Sequence, residues 1–394
     1  MKILITTDTF KPVVNGVVTS TINLYKELKS QGHDVKIITL SNNGETYIDG
    51  DVYYLKSKPI WVYPEARRAT FSITSNNLIK EVIDWKPDII HSQSEFSTMI
   101  IARKITKATG IPLVHTYHTM YEDYLSYFLK GKVINKERAA KITKMLLDKV
   151  NMVIAPTDKT KNALVNYGVD APIKVIPTGI DLSRFMIDFS ENEKMNLRES
   201  VGINKEDKVL AYIGRIAQEK NIEEVIENFK YIIEEEKRAK LLIVGGGPYL
   251  DVLKEEATNL NLLDNIIFTG MVKPEDVYKY YKISDMFVTA STSETQGLTY
   301  IEALSCGTPV VCRYDQCIED VVIDGYNGYT YNSRKDFVSS ILNLLKNDDL
   351  RKKFSSNALS KSYEYSSELF GIRVYELYKE VYGQSVDIDL LAAR

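Results

Sequence analysis

Short apolar runs alternate with amphipathic stretches along most of the chain. Ile3-Leu4-Ile5 reads as a buried strand. A loop from Asp8 to Gly16 follows, and then Val18, Ile22, Leu24, Tyr25 and Leu28 recur at helical spacing. Gln31-Gly32-His33 stops that helix, and Asp34 to Thr39 reads as the next strand. Strand, helix, strand is a βαβ unit, which predicts a parallel sheet with its ligand site at the strand C-termini. Further strands are expected at Ile89-Ile90-His91, Leu113 to Thr116 and Val150 to Ala155. The pattern fails over residues 186–207, which are polar, charged and without a clear period. It resumes with Lys208 to Ile213, Leu241 to Val244, Ile266 to Gly270, Met286 to Ala290 and Pro309-Val310-Val311. Residues 335–383 are helical in pattern, with Phe337, Ile341, Leu344 and Leu345 on one face, and residues 384–394 carry no strong pattern. The expected fold class is therefore α/β, with two doubly wound halves. Their expected bounds are 1–185 and 186–365, with a helical tail, 366–394, packing back on the first half.

Length and composition agree with that division. The 394 residues are 44% hydrophobic, enough for two cores. The net charge of −3 does not suggest nucleic acid as a partner. Cys306, Cys312 and Cys317 are spaced unlike a zinc site and read as buried reduced thiols. The first apolar run is too short for a signal-peptide core, and no stretch approaches transmembrane length, so a soluble or peripheral protein is expected. Charge matters locally instead. Residues 130–149 hold seven Lys or Arg against Glu137 and Asp148, a local +5. Ile134, Ile142, Met145 and Leu146 recur there at near-helical spacing. Such a helix could lie on an anionic bilayer or pack an ordinary apolar stripe on its domain.

Candidate chemistry concentrates in Ser293-Glu294-Thr295-Gln296-Gly297-Leu298-Thr299-Tyr300-Ile301-Glu302. A strand precedes it and a helix follows. Glu294 falls in the turn, Glu302 about two turns into the helix, and backbone N–H groups near Gly297 lie at the helix N-terminus, a ready anion site. Carboxylates for hydroxyls beside amides for an anion suggest a ligand that is part sugar, part phosphate. Arg215 and Lys220 follow a strand in the same half and could neutralise a diphosphate; a surface pair with Glu219 or Glu223 is the plainer account. Gly16 is either a turn glycine at positive φ or a point of close backbone approach. Gly245-Gly246-Gly247 allows a tight turn or a close approach, but no Walker lysine follows. His115 and His118 lack a third ligand nearby, so a polar contact in a ligand crevice is favoured over a metal. Asp49-Gly50-Asp51 and Asp387-Ile388-Asp389 have D-x-D spacing but poor positions for a catalytic metal.

These motifs together resemble retaining glycosyltransferases of the GT-B fold that carry two glutamates seven residues apart, here Glu294 and Glu302. Gly214-Arg215 with Lys220, Asn15-Gly16-Val17 and Ile176-Pro177-Thr178-Gly179-Ile180-Asp181 match that family in order. More narrowly, Thr7 to Phe10 with Asn15 to Ser20, and His115 to Tyr124, resemble bacterial diacylglycerol glucosyltransferases. The resemblance implies two Rossmann-like domains facing a cleft. It implies Arg215 and Lys220 on the donor diphosphate, Glu294 on sugar hydroxyls, and Glu302 on the ribose. Backbone N–H groups of Gln296, Gly297, Leu298 and Thr299 would contact sugar and phosphate, and Val272 would border the uracil. Gly16 would let the first domain approach the diphosphate, and His118 would sit against the sugar from the acceptor side. Asn221 stands where the family often has glycine, and Thr178 where asparagine is frequent. The implied reaction moves glucose from UDP-glucose to diacylglycerol with retention by same-face attack, with no cofactor and no metal. A glycolipid, or a soluble sugar, glycan or protein hydroxyl, is the alternative acceptor. An epimerase or a non-catalytic nucleotide-sugar sensor fits the paired glutamates and cations less well. A lipid acceptor favours the membrane reading of 130–149, and adds residues 60–68, with Trp61, Arg67 and Arg68, as a second anionic-surface contact. The expected location is the cytoplasm, peripherally on the inner face of the membrane.

Overall fold

The computed structural model describes residues 1–13, 15–60, 63–70, 76–119 and 136–392. Two compact units emerge: residues 1–179 with 367–394, and residues 180–366.

The first unit is built on an eight-stranded sheet. Its strands are β1 (Lys2–Thr7), β2 (Asp34–Leu40), β3 (Tyr47–Asp49), β4 (Val52–Leu55), β7 (Ile89–Ser92), β8 (Leu113–Thr116), β9 (Met152–Ala155) and β10 (Ile173–Val175). The order is β10-β9-β8-β7-β1-β2-β4-β3, parallel except at the β3–β4 edge. The ribbon of β5 (Ser57–Ile60) and β6 (Tyr63–Ala69) stands apart as an antiparallel pair. Helices α1 (Gly16–Ser30), α2 (Asn77–Asp84), α3 (Ser97–Thr109), α4 (Lys136–Leu147) and α5 (Asp158–Asn166) belong to this unit. Strands β1, β7 and β8 are buried on both faces, as their continuous apolar runs require. α1 begins at Gly16 in helical conformation, capped by Asn15, whose Oδ1 accepts from the Val18 N–H at 2.9 Å. A turn at positive φ is therefore not the reason for glycine at position 16.

The second unit holds a six-stranded parallel sheet: β11 (Lys208–Ile213), β12 (Ala239–Val244), β13 (Ile266–Gly270), β14 (Met286–Thr289), β15 (Val310–Arg313) and β16 (Gly328–Tyr331). Its order is β13-β12-β11-β14-β15-β16, so the winding reverses between β11 and β14. Helices α6 (Glu191–Ser200), α7 (Ile222–Glu235), α8 (Leu250–Asn259), α9 (Val277–Lys282), α10 (Leu298–Ser305), α11 (Arg334–Lys346) and α12 (Asp348–Ser362) accompany it. Two apolar cores, one on each face, hold this unit. Residues 180–185 join the second unit rather than the first, because Ile180, Leu182 and Phe185 are buried in its core.

The C-terminal helix α13 (Ser367–Ala392) continues well past residue 383, where the sequence pattern weakens. Phe370, Val374, Leu377, Tyr378 and Val381 form one buried stripe against Leu24, Leu28 and the inner strands of the first unit. The Ser367 hydroxyl donates to Glu27 Oε1 at 2.6 Å, fixing α13 to α1 at its start.

Candidate active site

In the second unit the strand C-termini gather the predicted donor residues at the point where the winding reverses. Arg215 follows β11, the glycine run follows β12, Met271 and Val272 follow β13, and Glu294 follows β14. Lys220, in a 3-10 turn after β11, places Nζ 2.5 Å from Glu294 Oε1, across the reversal. Both side chains are mostly buried, at 14% and 19% exposure. Ser291 also donates to that oxygen, at 3.0 Å. Arg215 behaves differently: its guanidinium pairs with Glu219, four residues on. The plainer reading thus holds for one contact of Arg215, while Lys220 reaches a glutamate 74 residues away. Glu223 is occupied with the Tyr249 hydroxyl.

The turn into α10 is set by Gly297, at φ +73°; a Cβ there would lie 2.5 Å from Tyr300 Cδ2. As cap residue it offers no side chain to the first-turn N–H groups, so α10 presents uncapped amide dipoles beside Glu294. Gln296 is buried, and Leu298 and Thr299 are half-buried at this helix start. Glu302 lies further along α10, its Oε2 accepting from the Tyr281 hydroxyl at 3.2 Å. Burial raises the Glu302 carboxyl to about 7, against the lowering effects of Tyr281 and Arg184. Val272 packs half-buried on the second unit's core.

The triple glycine serves chain packing. Cβ atoms on Gly245 and Gly247 would lie 1.9 and 2.0 Å from the Gly214 and Ile216 carbonyl oxygens. Ile216 N–H donates to Gly246 O at 2.9 Å, so this loop holds the Arg215 segment from behind.

The first unit also reverses its winding, between β1 and β7, and polar side chains collect there. Asp8, after β1, accepts from the Phe96 and Thr98 N–H groups at 3.2 and 2.9 Å, capping α3 from another loop. Burial raises its carboxyl to about 6. His118 Nε2 lies 2.7 Å from Gln93 Oε1, and His115 Nε2 lies 3.3 Å from Glu95 Oε1. Burial pushes His118 down to about 4, so the ring is neutral near pH 7. Among the described residues no three potential ligands cluster to hold a metal. Asp51 is engaged with Lys29 and Tyr25, at 2.9 and 2.7 Å. Asp387 and Asp389 fall in α13, where their side chains are outside the described part. Residues 120–124 of the histidine cluster, and 130–135, Trp61 and Val62 of the proposed membrane contacts, lie outside the described residues.

Ser291, Tyr281, Gln93 and His91 do not stand out in the sequence. Ser291 bonds Glu294 three residues on, whereas Tyr281, Gln93 and His91 act through partners distant in the chain.

Two families match the chain: "Glycosyltransferase Family 4" over residues 14–184 and "Glycosyl transferases group 1" over residues 193–361. An alpha-monoglucosyldiacylglycerol synthase of Streptococcus pneumoniae is 38% identical over 381 residues, covering 96% of this chain and 85% of that protein. A second protein of that name, from Acholeplasma laidlawii, is 30% identical over 389 residues, with 97% of each covered. The structure of Anabaena HepE in complex with UDP-glucose matches with a TM-score of 0.75 at 18% identity, covering 96% of this chain and 100% of that one.

Proposed function

Because this chain belongs to the GT-B glycosyltransferases of family 4 and group 1, we propose that it moves glucose from UDP-glucose to the free hydroxyl of diacylglycerol, retaining the α configuration. The observation that carries the donor half is the Lys220–Glu294 pair at the start of α10, where the sheet reverses. It sets a cation, a carboxylate and uncapped amides side by side, the groups that a sugar diphosphate requires. Lys220, Arg215 and the α10 dipole stabilise charge on the departing diphosphate, and in this reading no metal is needed for that task. Glu294 orients sugar hydroxyls, and Glu302, steadied by Tyr281, takes the ribose. The acceptor attacks from the face that the diphosphate leaves, and a phosphate oxygen takes its proton. In this reading His118 offers its imidazole to a substrate hydroxyl.

The lipid acceptor is supported by likeness to two proteins named for that product over nearly the whole chain. A membrane-facing surface agrees with it. α4 buries Ala139, Thr143 and Leu147 and leaves Ile142 and Met145 exposed at 45% and 61%, amid Arg138, Lys141 and Lys149. The apolar residues that face outward are thus not those that pack on the domain. Lys144 is held by Asp170 at 2.7 Å and contributes less. A groove of about 500 Å³ between α3 and α4 is lined by Arg103, Lys141, Lys144, Met145, Asp148 and Lys149. On the β5–β6 ribbon, Lys58 stands opposite Arg68, a like-charge pair that an anionic surface would relieve. No described helix is long and apolar enough to cross a membrane. The exposed basic and apolar side chains support the reading that the protein binds the cytoplasmic membrane face peripherally.

The test is incubation of the purified protein with a panel of UDP-sugars and lipid or soluble acceptors. Product mass and anomeric coupling are read. An α-glucosyl diacylglycerol supports the proposal; transfer to soluble acceptors alone, or a β product, overturns it.

A further inference from the structure

The buried polar chain behind His118 reaches from the end of β7 to the C-terminal helix. Gln93 Oε1 lies 2.7 Å from His118 Nε2, and Gln93 Nε2 lies 3.0 Å from His91 Nε2. His91 is fully buried, with its Nδ1 2.6 Å from the Tyr378 hydroxyl on α13 and its Nε2 2.7 Å from Thr116 Oγ1. We propose that Gln93 is the positioning residue for His118, its amide clamped between the two Nε2 atoms and forcing the two rings into opposite tautomers.

The argument is one of donors and acceptors. An amide oxygen only accepts, so His118 must carry its hydrogen on Nε2. An amide nitrogen only donates, so His91 must present a lone pair on Nε2 and carry its hydrogen on Nδ1. That hydrogen is donated to the Tyr378 oxygen, and the Thr116 hydroxyl shares the His91 Nε2 lone pair. Burial lowers both imidazoles, which keeps the rings neutral and makes the choice of tautomer meaningful. His118 then carries its lone pair on Nδ1, an acceptor suited to a sugar hydroxyl. The inference rests on His118 as the substrate-facing histidine. It makes Gln93, His91 and Tyr378 a relay by which α13 sets that ring. Among the described residues, the charged and titratable groups that act on His118 are Glu95, which favours its charged form, and His115, which opposes it, with Asp8 beside Glu95 from the β1–α1 loop.

The chain has only four histidines, so selective labelling resolves them. Nitrogen NMR of the full-length protein labelled with ¹⁵N-histidine at pH 7 is expected to show His118 as the Nε2–H form and His91 as the Nδ1–H form. Gln93→Met, which keeps the shape and removes both hydrogen bonds, should give mixed tautomers at His118. Its kcat should fall about tenfold with the KM for UDP-glucose little changed. Gln93→Glu should raise the titration midpoint of His118 by about two pH units and carry the acid limb of the rate profile with it. Tyr378→Phe removes one oxygen from the far end of the relay; it should loosen the His91 tautomer while leaving the fold intact, and serves if Gln93→Met does not fold. Both rings in one tautomer, or a His118 spectrum unmoved by Gln93→Met and Gln93→Glu, would overturn the proposal. Mixed tautomers in Gln93→Met with unchanged kcat would instead uphold Gln93 as the holder of His118 and remove His118 from the catalytic reading.

Discussion

Two carboxylates on the same strand–turn–helix stretch have different surroundings, and their chemistry differs accordingly. Glu294 is bonded to Lys220 and Ser291. Lys220→Ala and Glu294→Ala should each lower turnover at least about tenfold in a purified assay. Rates near the parent value in folded variants would remove both from the site. If Arg215 and Lys220 carry the diphosphate charge, turnover should also be unchanged after chelation with EDTA; loss restored by a divalent ion would refute this. Glu302 sits where burial raises its carboxyl from 4.5 to about 7. The folded chain therefore holds its proton more tightly than the unfolded chain does. That contribution to stability is complete below pH 4.5 and is lost as pH rises through 7. Glu302→Gln, which keeps an acceptor for Tyr281, should show a Tm advantage over the parent that grows from pH 5 to pH 8. A difference independent of pH across that range would contradict the raised carboxyl.

Elements with an apolar period were legible in the sequence; elements without one were not. α6 buries no side chain, so no hydrophobic stripe marks it within the polar stretch 186–207. Its one local signal is the capping box, Ser190 with Glu193, which the structure forms in both directions. The β5–β6 ribbon carries Pro59 and charged residues, so no apolar period marks its strands in the sequence. The glycine run after β12 shows the converse. The sequence leaves open whether a ligand or a neighbouring chain segment requires it, and the carbonyls of Gly214 and Ile216 supply the answer. Gly245→Ala and Gly247→Ala should each cost about 1–3 kcal/mol in chemical denaturation and lower activity by displacing Arg215. Gly246→Ala meets only the flexible, 80% exposed Met271 side chain and should cost much less. Equal effects at all three positions would contradict this packing.

At the scale of the whole molecule, the helix that ends the chain completes the core of the unit that begins it. Leu377 is fully buried against that core. Leu377→Ala should cost about 2–5 kcal/mol, read as a lowered denaturation midpoint. The basic surface makes a separate prediction. Lys141→Glu with Lys149→Glu should reduce flotation with anionic liposomes by about tenfold or more at low salt, at roughly 1 kcal/mol for each basic residue near the surface. Partition that ignores both salt and anionic lipid fraction would remove the electrostatic contribution.

Apolar periodicity by itself determined the α/β class, the two windings and the strand ends at which chemistry would collect, because burial of strands and helix faces imposes those periods locally. The residue types near those ends, two glutamates and two cations, were also visible in one dimension. Tertiary structure alone decided the pairing: that Lys220 meets Glu294 while Arg215 meets Glu219, that Asp8 caps a helix from another loop, and that Tyr378 stands behind His91. Apart from Arg215 and Glu219, four residues apart, these contacts join residues far apart in the chain. No local period encodes them, because they depend on how parallel strands bring their C-terminal ends together and on where α13 packs.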